Sequence, residues 1–578
     1  MSEHEQERNF SWRFYFVVAV MLCAALAVAG RVSYLYVVDK NFLQNQGDKR
    51  VLRTAVIPAH RGMIKDRNNE PLAVSTPVTT VWANPKQLIG MQVQWPLLAK
   101  KLGTSETRLR NRILGNQSKQ FIYLRRHMTP QRASEILKMK LPGVHGLTEY
   151  RRYYPAGEVA AHVVGFTNID EKGQEGIELA YNEILNGTPG KKRVVKDLHG
   201  RVVKDIGLIK NAEPGQDITL SIDLRAQYLA YRELLTAVKE YKAHAGSAVA
   251  IDIETGEVLA MVNQPSYNPN NRARKDVAHF RNRAVTDLFE PGSTVKPFTV
   301  SAALESGRWK PESLVNTAPG FVKVGRKRIR DMGNYGVIDV GTIIAKSSNV
   351  GVTKLALSLE PGAVSSYFSR LGLGQSTGVG FPGESAGLLP MKERWRPIEV
   401  ATMSYGYGLS VTALQLAQAY AVLGSGGIKH QTSLLKLNAN HNLNDDGFVD
   451  RVMDKSVAVD VLAMIEKVTG DKGTARRARV PGYRVGGKTG TVHKASANGG
   501  YEDHKYTALF AGVAPIENPR IALVVVVDDP KGDQYYGGQV AAPIFSRVMA
   551  GLLRVKQVVP DRVPGQWVKA SFANGGSS

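Results

Sequence analysis

The sequence predicts a mixed α/β (α+β) protein, in which one antiparallel sheet flanked by helices stands behind a membrane-spanning helix and a second α+β region. Three observations predict it: an uncharged apolar stretch near the N-terminus, two hairpin patterns far apart in the chain, and a helical middle between them. The 578 residues exceed what one modest core needs, so several domains are expected. A hydrophobic content of 43% and a charged content of 22% are ordinary for globular protein and argue against extensive disorder.

The apolar stretch comes first. Phe14 to Gly30 carries no charge, Arg31 interrupts it, and apolar residues resume from Val32 to Val38. Taken as one helix, residues 14–38 can cross a bilayer with some tilt, behind a short cytoplasmic tail of residues 1–13. Trp12, Tyr34 and Tyr36 suit the interfacial belts. The competing reading is a cleaved signal peptide, since Ala27-Val28-Ala29 has the small residues of a cleavage site. The apolar run continues past that site, which favours the uncleaved anchor. Basic residues do not fix the orientation: Arg8 and Arg13 precede the helix, while Arg31, Lys40, Lys49 and Arg50 lie at its far end or beyond.

Residues 39–215 are expected to form a non-catalytic support. Asp66-Arg67-Asn68-Asn69 reads as a turn between two strands. Residues 95–140 suit two or three short helices. Glu213-Pro214-Gly215 marks a joint.

Residues 216–563 then make the second domain. Asp217 to Asp223 alternates as a strand does, and Leu224 to Tyr241 is helical. Ser247 to Ile253 and Glu257 to Asn263 form a hairpin through Glu254-Thr255-Gly256. Tyr506 to Ala514 and Arg520 to Asp528 form another, turning through Pro515 to Pro519. Val524 to Val527 is the β-branched run of a strand buried on both faces, so Val525 belongs to the core. Thr412 to Leu423 is one of the helices between. The Gly/Ser-rich tail, residues 564–578, is expected to be disordered.

Charge and cysteine content narrow the function. The net charge of +24 is spread along the chain, without a basic run or a nucleic-acid motif. A basic surface facing anionic lipid or an anionic polymer is expected, not a nucleic-acid partner. The single cysteine, Cys23, lies in the apolar segment. One cysteine makes neither an intramolecular disulfide nor a zinc cluster, and no metal or other cofactor is expected.

Three short motifs carry the chemistry. The first is Ser293-Thr294-Val295-Lys296, preceded by Glu290-Pro291-Gly292. Pro and Gly there suit a helix start, with Ser293 in the first turn and Lys296 one turn on, on the same face. A serine hydroxyl needs a base to become a nucleophile, and a lysine serves when burial and nearby positive charge lower its pKa. The second motif is Ser347-Ser348-Asn349, and the third is Lys488-Thr489-Gly490-Thr491. Each alone reads as well as a surface helix, a helix cap or an exposed strand end. In this order they match the Ser-x-x-Lys, Ser-x-Asn and Lys-Thr-Gly signature of penicillin-binding proteins and class A β-lactamases, with Ser348 where the usual form has Asp.

At these residues the chain resembles the class B penicillin-binding proteins. Arg61-Gly62 with Asp66-Arg67 and Pro71-Leu72-Ala73 is similar to that family's first N-terminal motif. Arg152-Tyr153-Tyr154-Pro155, Gly165-Phe166 and Gly176-Ile177-Glu178 are similar to later ones. Ser404-Tyr405-Gly406-Tyr407-Gly408-Leu409-Ser410-Val411-Thr412 is similar to the division-specific branch. The resemblance runs from the anchor to about residue 560. It implies a penicillin-binding, serine β-lactamase-like transpeptidase domain on an elongated pedestal, with the catalytic domain in the periplasm.

The resemblance also implies roles. Ser293 would attack the D-Ala-D-Ala carbonyl of a stem peptide, with Lys296 taking its proton. Ser347 would relay a proton to the leaving D-alanine, with Lys488 biasing it. Asn349 would orient Lys296 and hold the donor peptide's amide. Backbone N–H groups of Ser293 and Thr491 would form the oxyanion hole. Thr489 and Thr491 would receive the terminal carboxylate, and Gly490 would let the strand approach substrate. Tyr506, Tyr535 and Tyr536 resemble the family's aromatic wall, though ordinary packing accounts for them equally well. An amine from a second stem peptide would resolve the acyl-enzyme, and β-lactams would acylate the same serine. An FtsW-type glycan polymerase and other division proteins are the implied partners, through the anchor and pedestal. The rivals are an elongation-type transpeptidase, a D,D-carboxypeptidase or β-lactamase of the same fold, a bifunctional polymerase, and a non-catalytic division scaffold.

Overall fold

The structure, a computed structural model, describes residues 3–41, 52–196, 202–272, 276–437, 449–496 and 500–561. The tail expected to be disordered, residues 564–578, lies outside the described residues. The chain divides into two compact units. One holds Met1–His60, Pro77–Tyr150 and Gly187–Gly215; the other holds Arg61–Thr76, Arg151–Asn186 and Gln216–Ser578.

The first unit begins with helix α1, Glu3–Val37. Its segment Trp12–Val37 is long and apolar enough to cross a membrane, and none of it is buried against protein. Gly190–Lys196 pairs antiparallel with Leu52–Ile57 on one side and Val202–Lys210 on the other. A small core gathers Trp95, Leu98, Leu109, Ile113, Leu124 and Ile136. Three helices form in residues 95–140: Trp95–Leu102, Glu106–Leu114 and Pro130–Leu137. A strand missed in the sequence, Ile122–Met128, runs between the second and third. Thr79–Ala83 supplies its partner across the fold, a long-range pairing that local composition does not announce.

The second unit is built on a five-stranded antiparallel sheet. Its strands are β1 Ala245–Asp252, β2 Val258–Gln264, β3 Gly486–Ala495, β4 Tyr501–Ala514 and β5 Ile521–Asp528. The order is β2-β1-β5-β4-β3, so both expected hairpins form and the strands from the two ends of the domain meet at the β1–β5 pair. Every residue of β1 and β2 is buried, which requires cover on both faces. Of the helices α2 Leu224–Glu240, α3 Lys296–Glu305, α4 Val340–Lys346, α5 Asn349–Leu357, α6 Ala413–Gly424, α7 Lys455–Thr469 and α8 Gly537–Val555, α2 and α6 cover these two strands. Helices α2 and α8 pack on each other and on the sheet, α6 packs on β1 and β5, and α7 packs on β3.

The boundaries follow local chemistry. Asp223 caps α2, accepting from the N–H groups of Arg225 and Ala226, and Thr412 with Gln415 forms a capping box on α6. The expected strand Asp217–Asp223 shrinks to Ile218–Thr219: Leu220 makes an isolated bridge to Leu435 instead, and Asp223 is committed to that cap. Ile64–Lys65 pairs with Pro71 and Ala73, placing Asp66–Asn69 in the turn.

Inside this unit, Glu178 joins two buried arginines. Arg61 Nε donates to Glu178 Oε2 at 2.8 Å and Arg152 Nε to Oε1 at 2.6 Å, with all three side chains at most 1% exposed.

Candidate active site

Ser293 sits in a tight 3-10 turn, Gly292–Val295, immediately before α3, so Lys296 opens the helix that Ser293 was expected to open. Gly292 has φ 53°, and a Cβ there would stand 2.5 Å from Val492 Cγ2 of β3. Gly292 N–H donates to Gly406 O at 3.0 Å, and a Cβ on Gly406 would lie 2.1 Å from Gly292 O. The turn carrying Ser293 is therefore wedged between β3 and the Tyr405–Gly408 loop. Tyr420, on α6, donates to Thr294 O at 2.8 Å and fixes the turn from below.

Lys296 is fully buried. Residues Lys296 to Leu304 of α3 are all buried, so the helix that Lys296 opens runs through the interior of the domain. Its Nζ contacts Ser347 O at 2.6 Å, Asn349 Oδ1 at 2.7 Å and Ser347 Oγ at 3.2 Å. Burial, then the charge of Lys488, hold its pKa well below the ordinary lysine value, and Asp331 opposes them. Lys488 on β3 is also fully buried, and its Nζ lies 3.2 Å from Thr489 O. Burial lowers its pKa to about 7. The reading of Lys488 as an exposed strand end is thereby excluded.

Ser347 ends α4 in the left-handed region, φ 58° and ψ 39°, which only a few non-glycine residues adopt. That turn swings both its carbonyl and its hydroxyl toward Lys296. Ser348 caps α5, accepting from Gly351 N at 2.8 Å. Asp331, which no sequence motif marks, receives Ser348 Oγ–H at 2.6 Å and the N–H groups of Asn349 and Val350 at 2.5 and 3.0 Å.

On β3, Thr489 Oγ1 lies 3.3 Å from Thr474 Oγ1, and Thr491 Oγ1 accepts from Gly537 N at 2.9 Å. A Cβ on Gly490 would meet Thr294 Cγ2 at 3.1 Å, so the strand and the Ser293 turn are in close contact at this glycine. Tyr506 stacks on Tyr535 with centroids 4.3 Å apart, and Tyr535 packs on Tyr536 at 4.5 Å. Tyr536 precedes Gly537, the residue bonded to Thr491, so these rings adjoin β3. The three motifs thus converge: Ser293's turn on β3, Lys296 on the Ser347–Asn349 loop, and Lys488 near Lys296.

A cavity of about 610 Å³ shares Glu290 and Val492 with this region but is not lined by Ser293, Lys296 or Lys488. Its Arg283 and Lys494 are already paired with Asp287 and Asp528, at 2.9 and 2.8 Å. Among the described residues no group of three or more His, Cys, Asp or Glu side chains could hold a metal.

Comparison with known proteins finds relatives over most of the chain. Residues 246–550 match the model of the penicillin-binding protein transpeptidase domain, and residues 56–220 match the penicillin-binding protein dimerisation domain. The peptidoglycan D,D-transpeptidase FtsI of Escherichia coli K12 is 45% identical over 563 residues, covering 96% of this chain and 94% of that protein. The "Probable peptidoglycan D,D-transpeptidase PbpC" of Pseudomonas aeruginosa is 43% identical over 558 residues, covering 96% and 97%. Among solved structures, the transpeptidase domain of Burkholderia pseudomallei penicillin-binding protein 3 aligns with a TM-score of 0.54 at 43% identity, covering 60% of this chain and 98% of that one. Penicillin-binding protein 3 of Mycobacterium tuberculosis, complexed with aztreonam, aligns with a TM-score of 0.67 at 28% identity, covering 88% and 98%. With a dimerisation domain preceding a transpeptidase domain, and relatives matched over nearly their whole length, the chain belongs to the class B penicillin-binding proteins.

Proposed function

We propose that this protein is a serine D,D-transpeptidase that cross-links the stem peptides of septal peptidoglycan and is inhibited by β-lactam acylation of Ser293. One observation carries the reading: a fully buried lysine one turn from a serine, with its amine among three oxygens and a second buried lysine nearby.

The chemistry follows from that arrangement. Ser347 O and Asn349 Oδ1, at 2.6 and 2.7 Å, accept both hydrogens of a neutral Lys296 amine and leave its lone pair for the Ser293 proton. Ser293 Oγ attacks the carbonyl between the two terminal D-alanines, and backbone N–H groups of Ser293 and Thr491 stabilise the oxyanion. Removing one such donor costs about 3 kcal/mol of transition-state stabilisation. The Lys296 proton passes through Ser347 Oγ, 3.2 Å away, to the departing D-alanine nitrogen, with Lys488 biasing the transfer. Thr489 and Thr491, beside Gly490, receive the terminal carboxylate, and Tyr506, Tyr535 and Tyr536 wall the site. An acceptor amine then displaces Ser293 and forms the cross-link.

The architecture proposed for this task is the anchor 14–38, a pedestal 39–215 and a transpeptidase domain 216–563, with the last two in the periplasm. The anchor and pedestal would dock an FtsW-type polymerase and other division proteins. The Tyr405-Gly406-Tyr407-Gly408 stretch supports the septal over the elongation role, and filaments on depletion, not round cells, are the expected phenotype. A carboxypeptidase or β-lactamase reading requires rapid turnover of the penicilloyl-enzyme.

The test is intact-mass measurement after benzylpenicillin treatment, with the adduct mapped by peptide. One penicilloyl group on Ser293, lasting minutes or longer, is expected. A Ser293→Ala chain that still acquires the adduct overturns the assignment.

A further inference from the structure

Asp331 belongs to none of the three motifs. It follows the hairpin Phe321–Val324/Lys327–Arg330, whose register pairs Phe321 with Arg330. Its carboxylate receives three donors from the second motif and the start of α5. Ser348 Oγ–H reaches Oδ2 at 2.6 Å, and the N–H groups of Asn349 and Val350 reach Oδ1 at 2.5 and 3.0 Å. The preceding residue completes the grip: Arg330 O accepts from Asn349 Nδ2 at 3.1 Å. With its amide nitrogen so engaged, Asn349 presents Oδ1 to Lys296 Nζ at 2.7 Å.

In the Ser-Asp-Asn form of this motif the middle residue itself supplies a carboxylate. Here that position is Ser348, fully buried, and a carboxylate reaches its hydroxyl from a separate hairpin. A mere helix cap does not require it, because Ser348 Oγ already caps α5 by accepting from Gly351 N. We propose that Asp331 is a positioning residue that replaces the carboxylate missing from the loop, holding Ser348 and Asn349 so that Asn349 Oδ1 and both Ser347 oxygens stay on the Lys296 amine. Hydrogen bonds to an ionised acceptor are the strong ones, and three on a single carboxylate fix the loop as a unit. The assignment rests on the transpeptidase reading of Ser293 and Lys296.

The experiment uses the full chain in detergent and a fluorescent penicillin. The second-order acylation constant is measured from pH 5 to pH 10, beside the thermal midpoint. Asp331→Asn keeps the shape, removes the charge and exchanges one acceptor for a donor facing Ser348. Acylation should fall about tenfold to a hundredfold, the effect of losing charge-assisted bonds at a reacting centre. The charged side chains acting on Lys296 are Lys488 and Asp331, and Asp331 alone favours its ammonium form. Its neutralisation should therefore move the acid limb of the profile to lower pH. Ser348→Ala keeps the carboxylate and should cost about twofold to tenfold, with the limb unmoved. A wild type that does not label refutes the transpeptidase reading itself. A labelling wild type with Asp331→Asn equal to it in rate, or altered only in thermal midpoint, overturns the present proposal. Where Asp331→Asn does not fold, Ser348→Ala decides: a wild-type rate overturns the proposal and a slowed one supports it.

Discussion

Lys296 Nζ stands 2.7 Å from Asn349 Oδ1, across a loop that belongs to a different helix. Placement of this base therefore depends on α3 and the α4–α5 junction together. Asn349→Ala should slow penicillin acylation about tenfold to a hundredfold, the kinetic equivalent of losing one strong hydrogen bond. Initial non-covalent binding should change far less. Lys296→Arg should abolish acylation, because a guanidinium keeps its proton at any working pH. Stopped-flow fluorescence separates the binding and acylation steps.

Lys488 makes stability depend on pH. Its folded-state pKa is lowered to about 7 by burial, while the unfolded chain titrates near the ordinary lysine value. Between those limits the unfolded state binds the extra proton, so stability rises as pH rises from about 7 toward about 10. Below about 7 both states are protonated and the penalty for burying the charge is fully felt. Lys488→Met should therefore stabilise the protein most at pH 6 and progressively less toward pH 10. Thermal midpoints of both proteins across that range check it; a parallel offset at every pH contradicts it.

Ser347 trades stability for placement. Its φ of 58° costs a non-glycine residue about 1 kcal/mol or more. Ser347→Gly should be more stable than Ser347→Ala by about 1 kcal/mol, since both lose the hydroxyl and only glycine relieves the backbone. Both should acylate more slowly than the wild type. Urea unfolding and penicillin labelling of the pair give the two readouts.

Glu178→Gln should cost about 3–5 kcal/mol, because it removes the carboxylate charge that both buried guanidinium groups bond to. The expected result is rapid proteolysis of the variant at a temperature where the wild type resists. An unchanged protease half-life contradicts the account.

Motifs fixed by chemistry were legible without coordinates. Ser293, Lys296, Ser347, Asn349 and Lys488 carry residue types that acyl transfer demands, and their order named the family. The β1–β2 and β4–β5 hairpins were legible because alternation and turn residues are local signals. Ile122–Met128 was not, because its assignment rests on a partner some forty residues earlier in the chain. Asp331 was hidden for a related reason. An aspartate after Lys-Arg-Ile-Arg looks like a solvated turn, and only the docking of its hairpin against α5 turns it into an acceptor for three donors. At the Ser293 turn the structure differs from the expected helix start: helix geometry begins at Lys296, because Gly292 takes a positive φ and the chain tightens through residues 292–295.

Strand β3 lies at the rim of its sheet, paired with β4 along one side only. An edge strand leaves one row of backbone groups without a strand partner, the geometry by which an extended guest can add as a further strand whatever side chains it bears. Discrimination would then fall on the guest's two ends and on its stereochemistry, so muropeptides differing at their middle residues should compete nearly equally. Such a margin also invites other polypeptides, and the register shift at His493–Ala495 gives this one an irregular end that discourages self-association.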